Sequence, residues 1–147
     1  MGPVTAVYSF FSRTLDVNGR SRRSEYAWAL IFNVLVAVFI GWLLISAGLD
    51  DTAFDAGHAS AGSEVLIWTV ILIALALCVP WTTLQIRRFH DMGQTGWLVA
   101  LFLGLQFVPV IGLIAMLIQF FWLLLGSGTA GNNPYGTDPR TSGASVF

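Results

Sequence analysis

Residues Tyr26 to Leu49, YAWALIFNVLVAVFIGWLLISAGL, run for 24 positions without Asp, Glu, Lys, Arg or His. Two more such stretches follow, Val65 to Ile86 (VLIWTVILIALALCVPWTTLQI) and Trp97 to Leu125 (WLVALFLGLQFVPVIGLIAMLIQFFWLLL). The hydrocarbon core of a bilayer is about 30 Å thick and a helix rises about 1.5 Å per residue, so roughly 20 apolar residues cross it. All three stretches are long enough. The predicted fold class is an all-α integral membrane protein, a small bundle of three to four transmembrane helices.

The uncertainty in that count sits in the third stretch, whose 29 residues would reach about 43 Å as one straight helix. Pro109, near its middle, removes a backbone donor and obstructs the preceding turn. Either a kinked span or a hairpin of two shorter helices follows, and the two put the carboxyl terminus on opposite sides. In a hairpin the turn must satisfy its own backbone, since lipid offers no partners.

Composition agrees with membrane residence. Of 147 residues, 56% are hydrophobic and 10% charged, outside the range of ordinary soluble domains. A net charge of −1 lacks the basic footprint that displaces counterions from phosphates, so nucleic acid is not an expected partner. The chain has no lysine, which excludes Schiff-base chemistry and the phosphate-binding loop that ends in Lys-Ser/Thr. Cys78, alone in the sequence, cannot form an intrachain disulfide and reads as a small packing residue. A cleaved signal peptide fits poorly, because the first apolar run is too long and begins only at Tyr26.

The sequence divides into three parts. Residues 1–25 read as an interfacial segment with a basic juxtamembrane motif: Val4, Val7, Tyr8, Phe11 and Leu15 recur at helical spacing opposite Thr5, Ser9, Ser12, Arg13 and Asp16. Pro3 suits the first turn and Asn18-Gly19 a terminus. Residues 26–125 form the transmembrane part, with spans at about 26–49, 65–86 and 97–125. Residues 126–147 form a tail rich in Gly, Pro and Asn. Arg20, Arg22 and Arg23 precede the first span, Arg87 and Arg88 end the second, and the loop between carries Asp50, Asp51, Asp55 and Glu64. By the positive-inside rule the amino terminus is cytoplasmic.

Small residues recur at Ala29, Asn33, Ala37 and Gly41, and again at Ala74, Cys78 and Thr82, rows that allow close helix approach. Asn33, Gln106 and Gln119 are candidates for interhelical hydrogen bonds. Gly126-Ser127-Gly128-Thr129-Ala130-Gly131 has the spacing of a dinucleotide fingerprint but lacks the strand before and the helix after, so no nucleotide cofactor is expected. His58 among Asp51, Asp55 and Glu64 has no regular ligand spacing and reads as a solvated loop, so no metal is expected. Arg87-Arg88-Phe89-His90-Asp91-Met92-Gly93-Gln94-Thr95-Gly96-Trp97 is the densest polar segment. On a helix Arg87 and Asp91 would pair one turn apart, Gly93 would cap the helix, Thr95 would cap the next, and His90 would find a carboxylate such as Glu25 or Asp138.

These segments carry a resemblance. Gly19-Arg20 with Arg23, Glu25, Tyr26 and Trp28, then Arg87-Arg88 with His90-Asp91, Gly93 and Gly96-Trp97, then Gly128-Thr129, Gly131, Asn133, Tyr135-Gly136 and Asp138-Pro139 resemble the small bacterial inner-membrane proteins catalogued as domain of unknown function 805, the YhaH/YhaI-like family. Ala27, Gln94 and Pro134 depart from its pattern. The resemblance implies a multi-pass plasma-membrane protein without an established activity. It also suggests that the three motifs gather at one membrane face, which requires the third stretch to turn back near Pro109.

The expected site is a cytoplasmic-face platform of Arg22, Arg23, Glu25, Arg87, Arg88, His90, Asp91, Asn133, Tyr135 and Asp138. It is read as non-enzymatic, binding anionic lipid headgroups or a partner protein, with a second copy of the chain or another membrane protein as the further partner class. Juxtamembrane arginines attract anionic lipid by about 1 kcal/mol each. A small oligomeric transporter or channel subunit is the alternative, weakened by an uncharged interior. An interfacial lipid enzyme with His90 as base is a third reading, without a nucleophile or metal set to support it.

Overall fold

The computed structural model describes residues 2–47 and 61–140. Helices among them are α1 (Pro3–Ser12), α2 (Arg23–Ser46), α3 (Ala61–Asp91), α4 (Trp97–Leu105) and α5 (Ile111–Leu125), and no strand forms among the described residues beyond an isolated bridge between Asn133 and Gly136. The acidic loop with Asp51, Asp55 and His58, the end of the first apolar stretch, and residues 141–147 lie outside the described residues.

Two helices are long enough to cross a bilayer. With 24 and 31 residues, α2 and α3 measure about 36 and 46 Å, and their most apolar windows reach a mean hydropathy of 2.5 and 2.4. Their side chains are turned outward: Val34, Leu35, Val38, Phe39 and Trp42 on α2, and Val65, Trp68, Leu72 and Leu75 on α3, are exposed. A core helix of a soluble protein would bury such a surface, so lipid must solvate it. Hydroxyls along these helices bond their own backbone, Ser46 Oγ donating to Leu43 O at 2.9 Å and Thr69 Oγ1 to Val65 O at 2.8 Å, which removes the need for water.

The chain divides into two compact units, residues 30–78 and residues 1–29 with 79–147. The first contains α2 from Leu30 onward and α3 as far as Cys78. There the rows of small residues do not form a packed seam: Ala37, Ala74 and Cys78 are exposed, and of the residues named above only Ala29, in the second unit, is fully buried.

The second unit holds the core. Phe89 stacks on Phe102 (ring centroids 6.2 Å apart) and meets the edge of Trp122 at 5.6 Å, while Tyr26 stacks on Trp81 at 5.3 Å. Helix α1 seats Ala6, Ser9 and Phe10 in this core and leaves Val4, Tyr8, Phe11 and Leu15 exposed. The face it packs with carries Ala6, Ser9 and Phe10, and the stripe of Val4, Tyr8 and Phe11 points outward as an interfacial helix requires. Pro3 does occupy its first turn, and Gly19 has the positive φ of +81° expected of a chain reversal.

At Pro109 the chain turns back. Phe102 lies beside Trp122 and Gln106 bonds Gln119, the pairing of antiparallel neighbours, and α4 packs on α5. The turn satisfies its own backbone: Val108 N donates to Leu105 O at 3.0 Å, Ile111 N to Pro109 O at 2.8 Å and Gly112 N to Val108 O at 2.7 Å. The Ile111 bond closes a γ-turn centred on Val110, whose φ of 66° and ψ of −54° are rare for a β-branched residue. Gly112 permits the close approach, since a Cβ there would stand 2.7 Å from Gln106 O. With 9 and 15 residues, α4 and α5 extend about 14 and 22 Å, so neither equals the hydrocarbon thickness of about 30 Å. Gln119 Nε2 also donates to Gln85 Oε1 at 2.7 Å, tying the hairpin to α3. Gln106 and Gln119 thus have the bonding role proposed from sequence, with Gln85 as the partner that sequence did not single out.

Candidate functional site

The last turn of α3 continues well past its apolar run, through Arg87, Arg88, His90 and Asp91, because each of these groups finds a partner. Gln94 N bonds Phe89 O at 2.9 Å and Gly93 N bonds His90 O at 3.0 Å, with Gly93 at φ +72°. This is the glycine-terminated helix end in which two late amides satisfy two orphan carbonyls. The following helix is capped less well than the sequence suggests. Gly96 holds the N-cap position, and Thr95 Oγ1 reaches only the Trp97 amide, at 3.4 Å.

Asp91 is the hub. Its Oδ1 accepts from Arg20 Nε at 3.0 Å and its Oδ2 from Arg88 Nη1 at 2.6 Å, while its carbonyl accepts from the Thr129 amide at 2.8 Å. Arg20 goes on to donate to Thr129 O and Gly131 O, both at 2.5 Å. Arg88 donates to Leu123 O at 2.9 Å and Gly126 O at 2.5 Å. One carboxylate and two guanidiniums thereby join the segment before α2, the end of α3, the end of α5 and the tail. Gly128 fits against this hub because it has no side chain: a Cβ would overlap the Asp91 carboxylate.

Arg87 does not pair with Asp91 as its spacing suggested, because the side chain leaves α3 toward α1 and α2. It lies 3.5 Å from Glu25, which also accepts from Ser9 Oγ at 2.7 Å. Arg87 is 0% exposed, and its three guanidinium nitrogens make no hydrogen bond among the described residues. Glu25 is the nearest carboxylate balancing this buried cation among the described residues, and a buried charge is costly to strand.

The tail is an ordered loop. Asn133 Nδ2 donates to His90 O at 2.8 Å and to Thr129 Oγ1 at 3.0 Å, and its Oδ1 accepts from the Tyr135 amide at 2.9 Å. Tyr135 stacks on His90, ring centroids 4.0 Å apart and planes 3° from parallel. His90 therefore meets an aromatic ring where a carboxylate was expected, with Glu25 taken by Arg87 and Asp138 by the tail itself. Asp138 Oδ1 accepts from the Arg140 amide at 2.9 Å and Oδ2 from the Gly131 amide at 3.1 Å. Those two bonds, Arg140 foremost, hold its carboxyl below the usual carboxylate range against the opposing effect of burial. Asp16 is likewise lowered, chiefly by its hydrogen bond from Arg13.

The ten residues proposed from sequence do gather in this unit, but they divide by exposure. Glu25, Arg87, Arg88, Asp91 and Asp138 are buried, and His90, Asn133 and Tyr135 are half-buried. Arg23 is exposed and Arg22 half-buried. With Ser24, Asp91, Gly128, Pro139 and Arg140, these two line an open cavity of about 360 Å³. Neither guanidinium hydrogen-bonds another described residue, whereas Arg140 Nη2 donates to Gly128 O at 2.8 Å. The amides of Arg23, Ser24 and Glu25 are the unbonded first turn of α2. Arg20, Ser9 and Thr129 were missing from the proposed set. Arg20 and Thr129 stand in the resemblance motifs, and their pairing spans 109 residues, beyond any local pattern.

Comparison with known proteins places the chain in a family. The family model described as "Protein of unknown function (DUF805)" matches residues 14–137, an interval containing the Arg20–Asp91 hub and almost all of the tail loop. Inner membrane protein YhaI of Escherichia coli K12 is 32% identical over 132 residues, covering 90% of this chain and 92% of that protein. Inner membrane protein YhaH of the same strain is 32% identical over 127 residues, covering 83% and 85%. No solved structure matches the chain significantly. With the family model covering residues 14–137 and two inner membrane proteins 32% identical over most of their length, this chain belongs to the DUF805 family of membrane proteins of unknown function.

Proposed function

We propose that this protein is a non-enzymatic receptor for anionic lipid headgroups at the cytoplasmic face of the bacterial inner membrane. The names of its relatives support the membrane, and the arginine-rich ends of α2 and α3 support the orientation, amino terminus inside. The observation that carries the reading is the fate of the seven arginines. Arg13, Arg20, Arg87 and Arg88 are committed to carboxylates. Arg140 lies 3.7 Å from Asp138 and donates to Gly128 O, whereas Arg22 and Arg23, beside the same cavity, keep all their donors. The unbonded amides at the start of α2 add positive potential to the same place. Because the tail bonds Arg20 and Asp91, the three polar motifs share one face in this reading. No bond-making step is required, and His90, stacked on Tyr135, has no carboxylate among the described residues to orient it as a base.

The glutamine chain supports glue over a transport path, since Gln85, Gln106 and Gln119 bond one another. The test separates the cavity pair Arg22 and Arg23 from the core residue Arg88. At about 1 kcal/mol per juxtamembrane arginine, R22Q/R23Q should lower retention of anionic lipid by detergent-purified protein about thirtyfold, with unfolding midpoint little changed. Arg88→Gln should instead lower stability. Unchanged anionic-lipid retention in folded R22Q/R23Q overturns the reading.

A further inference from the structure

Resting on the headgroup reading above, we infer that the Arg22–Arg23–Arg140 cavity selects a phosphodiester headgroup that carries free hydroxyls, as in phosphatidylglycerol. The walls differ in chemistry. On one side are three guanidiniums and the first amides of α2, all donors, which suit the phosphate oxygens. On the other are Asp91 and the Ser24 hydroxyl. Among the described residues Asp91 Oδ2 accepts one hydrogen bond, from Arg88 Nη1, and a carboxylate oxygen has two acceptor sites, so one remains for a hydroxyl donor. Ser24 Oγ makes no hydrogen bond among the described residues. A phosphodiester without hydroxyls brings no donor to these two acceptors.

Gly128 lies against the Asp91 carboxylate, where any side chain would overlap it.

The experiment compares lipids of equal charge by native mass spectrometry on the purified full chain. Phosphatidylglycerol and phosphatidylethanol share the phosphodiester and acyl chains, and only the first carries head hydroxyls; phosphatidylcholine is the uncharged control. The expected result is about tenfold better retention of phosphatidylglycerol than of phosphatidylethanol, with both above phosphatidylcholine. In Ser24→Ala the preference should fall at least to about a third of its value, while phosphatidylethanol retention stays. Equal retention of the two anionic lipids overturns the hydroxyl inference and leaves the anionic-headgroup reading standing. Equal retention of all three lipids overturns both. A preference unchanged in Ser24→Ala overturns the assignment of the hydroxyls to this wall, and displacement of phosphatidylglycerol by an equal concentration of soluble glycerol phosphate overturns the lipid as occupant.

Discussion

Replacing Asp91 by Asn removes one negative charge and almost no volume. The carboxylate sits 3.0 Å from Arg20 and 2.6 Å from Arg88, with side chains 4%, 1% and 0% exposed respectively. An amide can accept from one guanidinium, but its NH₂ then faces the other, donor against donor, and two buried cations lose their counterion. Removing one partner of a buried ion pair costs about 3–5 kcal/mol, so Asp91→Asn should lower the folding equilibrium by about two to four orders of magnitude. Equilibrium unfolding in mixed dodecyl maltoside and SDS micelles, followed through the six tryptophans, measures it. The cycle with Arg20→Gln isolates the pair: removing one stranded cation should leave the double variant less destabilised than the sum by at least about 1 kcal/mol. A loss under about 1 kcal/mol for Asp91→Asn, or single effects that simply add, would refute the reasoning that this carboxylate holds four chain segments together.

Three further outcomes follow from the same geometry. Gly128→Ala forces a methyl into a carboxylate pinned by two arginines, and should cost about 1–3 kcal/mol, read as faster proteolysis of the tail with α2 and α3 still protected. Val110→Gly relieves positive φ at a β-branched residue and should raise stability by about 1 kcal/mol in the same unfolding assay, since the strain exceeds the entropy glycine adds; a destabilised variant would show that the turn is not strained. The carboxyl of Asp138 is depressed in the folded chain, so its contribution is full above the ordinary value of 3.8 and is lost as pH falls through the lower folded value. Hydrogen exchange at the Gly131 and Arg140 amides should therefore quicken, beyond intrinsic pH effects, only below about pH 4.

How much of this was legible in advance differs by kind of interaction. Helix positions followed from apolar length, and Gly93 as terminator from its local context, because both depend on residues within a turn or two. The choice between kink and hairpin did not, since Pro109 is compatible with either; the bond between Gln106 and Gln119 and the closeness of Gly112 to Gln106 settle it. Pairing was the least legible. Arg88 stands three positions and Arg87 four positions before Asp91, so helical spacing alone offered both, and only the approach of Glu25 on α2 assigns Arg87 elsewhere.

From sequence alone, lipid residence was determined, because long uncharged runs leave no solvent but the bilayer for their surface. The identity of the surface arginines was decided only by tertiary structure. Every guanidinium carries the same charge wherever it stands in the chain. Whether it faces a ligand or is consumed in the core depends on which carboxylates and carbonyls the fold brings within 3 to 4 Å, across separations that reach 111 residues for Arg20 and Gly131.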